Sequence, residues 1–126
     1  MSEQQNVQAV QAMYAAFGNR DMQGVMAYLS EDIVWQAYNP SDDALAVRFQ
    51  GHEGVMRFFQ LLDQIYTMDE FEPREYVAQG DKVIALGHLK MTFRATGQRV
   101  SNHFAMLWTF RDGKVVSFFE YGNDQA

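Results

Sequence analysis

Apolar residues recur at steps of three and four along three stretches of the chain, which places them on one face of a helix. The pattern predicts a first helix that ends near Gly18-Asn19 and a second helix that Asp21 caps. The third helix is the most regular, with apolar residues at helical spacing over residues 55–66.

The period changes to two after the third helix, and this alternation is typical of half-buried strands. The pattern predicts four consecutive strands, at residues 70–79, 82–95, 99–110 and 114–122. Tight turns separate them, and Arg111-Asp112-Gly113 is the strongest hairpin signal. An earlier strand is predicted from IVWQAY, residues 33–38, which is rich in β-branched and aromatic side chains. Pro73 indicates an edge strand or a bulge.

Helices first, followed by hairpin-connected strands, predict an α+β fold rather than βαβ units. Long aromatic strands of this kind are expected to form a curved antiparallel sheet wrapped around the helices, with an apolar mouth. Such a mouth is a common site for a small-molecule pocket. The segment from Asn39 to Gly51 is long enough to be a functional rim. The length suits a single domain, residues 1–126.

Composition excludes several classes of function. There are 10 Lys plus Arg against 16 Asp plus Glu, a net charge of -6, which argues against nucleic acid or an anionic membrane as partner. The chain has no cysteine, which excludes disulfides and thiolate catalysis. Because neither a signal-peptide pattern nor a membrane-spanning apolar run occurs, we expect a cytoplasmic protein. No metal-ligand spacing or nucleotide motif occurs, so no metal and no cofactor are expected.

Four stretches, in this order, give the chain a family resemblance: VQAMYAAFGNRDMQGVMAYLSEDIVW, FQGHEGVMRFFQLL, YVAQGDKVIALG and HFAMLWTFRDGKVVSFFEY. The chain resembles SnoaL-like, ketosteroid-isomerase-like members of the nuclear transport factor 2-like superfamily. The resemblance implies a cone-shaped, cystatin-like roll of three helices and a curved antiparallel sheet, with a deep pocket, in a homodimer. Members include isomerases, polyketide cyclases, epoxide hydrolases, dehydratases and proteins without chemistry, so the fold does not settle the function.

Tyr14 lies where the resemblance places the oxyanion-hole tyrosine of ketosteroid isomerases. A buried phenol can donate a hydrogen bond to a developing enolate or alkoxide, although helical spacing alone favours a core residue. The other isomerase groups, an aspartate base and a protonated aspartate, match Ala37 and Met106 in an ungapped comparison. Neither can do acid–base work, so ordinary steroid isomerisation is not expected unless Asn39 or another group substitutes.

Glu120 is a carboxylate in an aromatic strand. By period two it shares a face with Phe118, and the isomerase comparison turns that face toward the pocket. There it would serve as an acid or a base. In the alternative, Glu120 faces outward and pairs with Arg94, Arg99 or His88, since one bulge would reverse the parity.

Aromatic and sulfur-containing side chains are the candidates for the pocket wall, with core packing as the alternative. They are Trp35, Phe58, Phe59, Met106, Trp108 and Phe118. His103 is predicted to face away from the pocket as a structural hydrogen-bonding residue, and His88 is interpreted in the same way. Asn123 matches the terminal aspartate of many relatives, but an amide cannot be a general base. Asp124 is interpreted as a solvated tail residue.

Three functions stay open at this point. In the first, the chain is a cofactor-free isomerase, cyclase, dehydratase or hydrolase that acts on a small apolar molecule bearing oxygen. Glu120 would then be the acid or base and Tyr14 the oxyanion donor. Alternatively, it is a non-catalytic module that binds a small ligand, or a dimeric accessory domain. As a pure protein-interaction partner, it would have a cone filled by side chains.

Overall fold

The structure of the chain is a computed structural model, and it describes residues 2–37 and 48–125. In chain order the elements are α1 (Glu3–Gly18), α2 (Met22–Met26), β1 (Leu29–Gln36), β2 (Arg48–Gln50), α3 (Gly51–Ile65), β3 (Tyr66–Gln79), β4 (Lys82–Phe93), β5 (Arg99–Arg111) and β6 (Lys114–Gln125). None of the helices in these residues is long and apolar enough to cross a membrane.

Local signals determine where the helices begin. Ser2 and Gln5 form a capping box at α1, in which the backbone N–H of each donates to the side chain of the other, at 2.9 and 3.1 Å. Asp21 caps α2 by accepting a hydrogen bond from the Gly24 N–H at 2.9 Å, as predicted. Gly51 has a φ of +75°, which allows β2 to turn directly into α3.

The six strands form one sheet in the order β2-β1-β6-β5-β4-β3. Neighbouring strands are antiparallel except for β1 and β6, which run parallel. A parallel pair needs a long crossover connection, and the elements between β1 and β6 provide it. The predicted α+β fold of a curved sheet around three helices is confirmed, with the refinement that the sheet is mixed.

Bulges bend the long strands. The register between β3 and β4 shifts between Met68 and Glu70 and again between Pro73 and Glu75. Irregularities of this kind bend a strand and increase its twist, which helps to curl the sheet around the helices. The prediction for Pro73 is confirmed in both respects, because β3 is an edge strand and Pro73 borders a bulge.

Some boundaries differ from the sequence pattern. β3 begins at Tyr66, directly after α3, whereas the strand was predicted from residue 70. The sequence pattern does not show this boundary, because the buried Tyr66 continues the helical spacing. β1 begins at Leu29, four residues before the strand predicted at residues 33–38. β2 has only three residues, which are too few to show an alternation of apolar and polar side chains. Most of the predicted rim between Asn39 and Gly51, Asn39 included, lies outside the described residues.

The concave face of the sheet carries the core. Along β5, the buried residues Phe104, Met106 and Trp108 alternate with less buried ones. α3 packs against β1, and its Val55 and Phe58 are buried. The side chains between the helices and the sheet leave part of the interior open, and the candidate site lies there.

Candidate functional site

A cavity of about 80 Å³ lies between the concave face of the sheet and the helices. The two candidate catalytic residues and the six candidate wall residues predicted from the sequence all line this cavity: Tyr14, Glu120, Trp35, Phe58, Phe59, Met106, Trp108 and Phe118. They come from α1, β1, α3, β5 and β6, so five elements converge on the site. The rest of the wall is apolar except for Asn102.

The Tyr14 hydroxyl makes two hydrogen bonds in the cavity wall. It accepts from the Nε1–H of Trp108 at 3.1 Å and donates to Sδ of Met106 at 3.1 Å. Because the indole N–H is only a donor, it leaves the phenol proton free to point at another acceptor. A thioether is a weak acceptor, so a ligand oxygen is a better partner for this proton than Met106.

Burial raises the pKa of Tyr14 far above its usual value, and the hydrogen bond from Trp108 opposes this shift only in part. The neighbouring Tyr76 and Glu120 raise the pKa further. The phenol is therefore neutral at neutral pH and acts as a hydrogen-bond donor. Contacts with the rings of Phe71 and Trp108, at centroid distances of 5.1 and 5.8 Å, hold it in place.

Glu120 lies on β6, opposite Met106 of β5, and lines the cavity. The register between the two strands is continuous from Ser117 onward, so the side chains of Glu120 and Phe118 point to the same face of the sheet. Its charge contributes to the raised pKa of Tyr14, which means that the two groups interact electrostatically. The site therefore combines a phenol donor and a carboxyl group in largely apolar surroundings.

Glu120 lines the cavity, so the alternative in which it faces outward is not the orientation in this structure. Arg94 instead bonds the carbonyl oxygen and the carboxylate of Asp63. His88 forms a hydrogen bond with Ser101 at 2.8 Å and lies against the ring of His103 at 5.1 Å. His103 is exposed, so these two histidines lie on the outer face, as their parity predicts.

Aromatic rings form a continuous wall on one side of the cavity. Trp35 stacks on Phe118 at a ring-centroid distance of 3.9 Å, and Trp108 lies 5.7 Å from Trp35 and 4.6 Å from Phe118. From α3, Phe58 and Phe59 contact Trp35 at 5.8 and 5.5 Å. Such a wall favours flat apolar molecules, which can stack on it or meet it edge-on.

Asn102 is a polar wall residue that the sequence reasoning missed. It is only 5% exposed and lines the cavity from β5. The signal was present, since period two places Asn102 on the same face as Met106 and Trp108.

The positions that match the isomerase aspartates are Ala37 and Met106, and both line the cavity without an acidic group. The side chains of Asn123 and Asp124 lie outside the described residues, so their predicted roles stay predictions. Within the described part of the chain, no group of three or more His, Cys, Asp or Glu side chains could hold a metal ion.

An open groove of about 750 Å³ lies outside the cavity, lined mostly by residues of α1, α3 and β3. Phe17, Phe59 and Phe71 line both spaces. The ring of Phe17 contacts the other two at 5.7 and 5.5 Å. These three rings therefore lie where the groove meets the cavity, together with Tyr14, Leu62, Met68 and Met91.

The family model described as the SnoaL-like domain matches residues 10–118, whereas no curated protein matches the chain. Among solved structures, an NTF2-like protein from Burkholderia xenovorans LB400 is 32% identical, with 98% of this chain and 92% of that one covered and a TM-score of 0.87. An NTF2-like protein of unknown function from Burkholderia pseudomallei K96243 is 28% identical over 98% and 92%, with a TM-score of 0.82. TerC, co-crystallised with polyporic acid, is 27% identical over 94% and 92%, with a TM-score of 0.80.

A curved mixed sheet around three helices, shared with these structures, defines the nuclear transport factor 2-like class of folds. Within that class, the chain belongs to the SnoaL-like family. The resemblance inferred from the sequence is thereby confirmed. Further structures that share the fold at 19%, 24% and 16% identity are named as a polyketide cyclase, a hydroxylase and an isomerase, so the fold leaves the reaction open.

Proposed function

We propose that the chain is a cofactor-free acid–base enzyme that acts on a small, largely apolar molecule bearing oxygen. One observation carries the proposal: the Tyr14 hydroxyl and the Glu120 carboxyl line the same aromatic cavity. A group that exchanges protons and a donor that stabilises a developing oxyanion are the parts shared by isomerisation, aldol-type cyclisation, dehydration and hydrolysis.

Each polar group then has its own role. Glu120 exchanges a proton with the bound substrate, and Tyr14 donates a hydrogen bond to the oxygen on which negative charge develops. Trp108 does not touch the reacting atoms. It holds the Tyr14 oxygen through the 3.1 Å hydrogen bond, so that the phenol proton is available to the substrate. The apolar wall strengthens these interactions, because charges interact more strongly away from water.

Two observations support a flat substrate with oxygen substituents. The stacked rings of Trp35 and Phe118 offer an extended aromatic surface. TerC, which is 27% identical, was co-crystallised with polyporic acid, and this compound is therefore a rational first ligand for the present chain. A molecule larger than the cavity can extend across Phe17 and Phe59 into the groove.

Incubation with enones, epoxides, polyketide mimics and polyporic acid, followed by mass spectrometry of the small molecules, tests the proposal. We expect the wild type to convert one of these classes. Glu120→Gln should lower the rate by about 10²–10⁴-fold with little change in Tm. Glu75→Gln is the matched control, because Glu75 is exposed on β3. A Glu120→Gln variant that stays fully active would contradict the assignment.

The second candidate is a non-catalytic module that binds the same kind of ligand. The absence of an acidic group at Ala37 and Met106 favours it. In that case the wild type retains polyporic acid or a related probe without changing it, and Glu120→Gln binds the probe as tightly as the wild type. The open interior argues against the third candidate, a pure protein-interaction partner.

We also propose that the chain forms a homodimer through the outer face of the sheet. Ile84, Leu107 and Phe119 are partners in register across β4, β5 and β6, and Ile84 is exposed. A row of apolar side chains on an outer face is typical of an interface. Sedimentation at micromolar concentration should give the mass of a dimer, and Leu107→Glu should give that of a monomer. A monomeric wild type would contradict this proposal.

A further inference from the structure

Two polar side-chain atoms in the described part of the chain are buried without a hydrogen-bond partner: Oδ1 of Asn6 and Nε1 of Trp35. A buried donor without an acceptor is uncommon, and each case calls for an explanation. Trp35 differs from Asn6 because it lines the cavity. It is also only 3% exposed, so bulk water does not serve as its acceptor.

The surroundings of Trp35 prevent it from turning to find a partner. Phe118 stacks on its ring, and the rings of Phe58, Phe59 and Trp108 all lie within 5.8 Å of it. These neighbours offer no strong acceptor, because Trp108 has only a donor. The indole N–H of Trp108 differs, because it donates a hydrogen bond to the Tyr14 oxygen.

We propose that the indole N–H of Trp35 is a ligand-recognition group, which donates a hydrogen bond to an acceptor oxygen of the molecule bound in the cavity. The inference rests on the proposed function in that it requires the cavity to bind a small molecule. Together with the Tyr14 hydroxyl, it gives the site two donors, one from β1 and one from α1. A flat conjugated molecule with two acceptor oxygens, such as a quinone or a diketone, satisfies both.

The oxygen of the ligand reaches this N–H by displacing one of the rings around it. Phe59 is the ring best placed to move, because it contacts Trp35 at 5.5 Å and also lines the groove. A single water molecule is a poorer occupant, since buried waters normally make about three hydrogen bonds. The four rings that contact the Trp35 ring do not provide that many.

The test uses two probes with the same fused-ring carbon frame, 1,4-naphthoquinone and naphthalene, which differ by two carbonyl oxygens. The chain has no cysteine to which a quinone could add. With ¹⁵N-labelled tryptophan, the two indole N–H signals are followed by NMR, and Trp35→Phe assigns them. We expect naphthoquinone to shift the Trp35 indole proton downfield, whereas naphthalene leaves it nearly unchanged.

Affinities provide a second readout. We expect Trp35→Phe to weaken naphthoquinone binding about fivefold more than naphthalene binding, the size of one net hydrogen bond. Phe118→Leu is the matched control, because it removes a ring from the same stack without removing an N–H. It should weaken both probes to a similar extent.

The outcomes separate this inference from the proposed function. If naphthoquinone binds but shifts the Trp35 signal no more than naphthalene does, the recognition role is overturned and a ligand-binding cavity remains. If Trp35→Phe weakens both probes equally, the result is the same. If neither probe perturbs either indole signal, this inference is overturned, and the incubation assay with the other compound classes decides the proposed function separately. Should Trp35→Phe not fold, Trp108→Phe assigns the signals and the wild-type indole shift decides.

Discussion

Along β5, Asn102, Met106 and Trp108 line the cavity on the concave side of the sheet, whereas Ser101 and His103 lie on the outer side. Polar side chains on the outer side are partly exposed and pair with neighbours, as in the hydrogen bond between Ser101 and His88. On the concave side, polar groups are few and lie among rings. Two surfaces of one sheet therefore place polar groups in opposite environments.

This difference indicates that functional groups of this fold are to be sought on the concave side of the sheet. On the concave side the N–H of Trp35 is buried without a partner; such burial costs free energy, so its presence there needs a reason beyond stability. Exposed pairs on the outer side contribute little on their own. Matched substitutions on the two faces should therefore differ in the size of their effects, and they provide ways to test the comparison.

The largest difference is expected between two Tyr→Phe substitutions. Tyr14→Phe removes the cavity donor and should lower the rate on an identified substrate by about 10²–10³-fold, as for the loss of an oxyanion-hole donor. Tyr121→Phe removes a phenol that is 59% exposed and should leave the rate unchanged. Steady-state kinetics with both variants checks this. Similar rates for the two variants would remove Tyr14 from the proposed mechanism.

A smaller effect is expected on stability when space on the concave side is filled. At Gly87 on β4, a Cβ would lie 2.3 Å from the Glu72 carbonyl oxygen and 2.6 Å from Cζ of Phe104. Because backbone atoms must move, Gly87→Ala should lower the free energy of unfolding by about 1–3 kcal/mol. Gly18 is the control, since a Cβ there meets nothing within 4 Å.

Urea unfolding of the two variants gives the measurement. Gly18→Ala should be neutral, or stabilising by less than about 1 kcal/mol, because it lowers the entropy of the unfolded chain. A Gly87→Ala variant as stable as Gly18→Ala would show that the Phe104 ring and the β3–β4 edge yield more easily than a packed core does.

Most of the fold could be predicted from the sequence, because period and turn chemistry are local signals. The strands after α3 follow from alternation and from glycine turns such as Asp112-Gly113. The parallel pairing of β1 with β6 could not be predicted in this way, since strand order depends on contacts between residues far apart in the chain. The start of β3 at Tyr66 was hidden because one apolar residue suits both the end of a helix and the start of a strand.

The candidate site was predictable in its members but not in its chemistry. The alternation of side chains along a strand predicts that Glu120 and Phe118 share a face of the sheet, and the continuous register between β5 and β6 keeps them on that face. The hydrogen bond from Trp108 to Tyr14 and the unpaired N–H of Trp35 depend on side-chain orientation, which no spacing rule specifies. The same limit explains why Trp35 and Trp108 were indistinguishable in the sequence although one N–H is used and the other is not.

A pH dependence should follow from the burial of Tyr14. Its pKa is raised in the folded chain, whereas an unfolded tyrosine ionises near its ordinary value of about 10. Above that pH the unfolded state loses a proton that the folded state keeps, so the free energy of unfolding falls as pH rises. The slope contributed by this residue approaches about 1.4 kcal/mol per pH unit.

Urea unfolding between pH 9 and pH 11 measures this slope. Tyr14→Phe removes the contribution, so its stability should fall less steeply than that of the wild type over the same interval. Tyr76, whose pKa is also raised by burial, is present in both proteins and cancels in the difference. Parallel pH profiles for the two proteins would mean that the phenol reaches solvent more readily than its buried position indicates.

The smallest effect is expected for a charge pair on the exposed edge of the sheet. The Nζ of Lys90 lies 3.4 Å from Oε2 of Glu70, and both side chains are well exposed. Lys90→Met keeps most of the aliphatic stem, so it should change the free energy of unfolding by less than about 0.5 kcal/mol. This difference should disappear in 1 M salt because exposed charges are then screened. A loss above about 1 kcal/mol that persists in salt would make this edge structurally important and would weaken the contrast with the concave face.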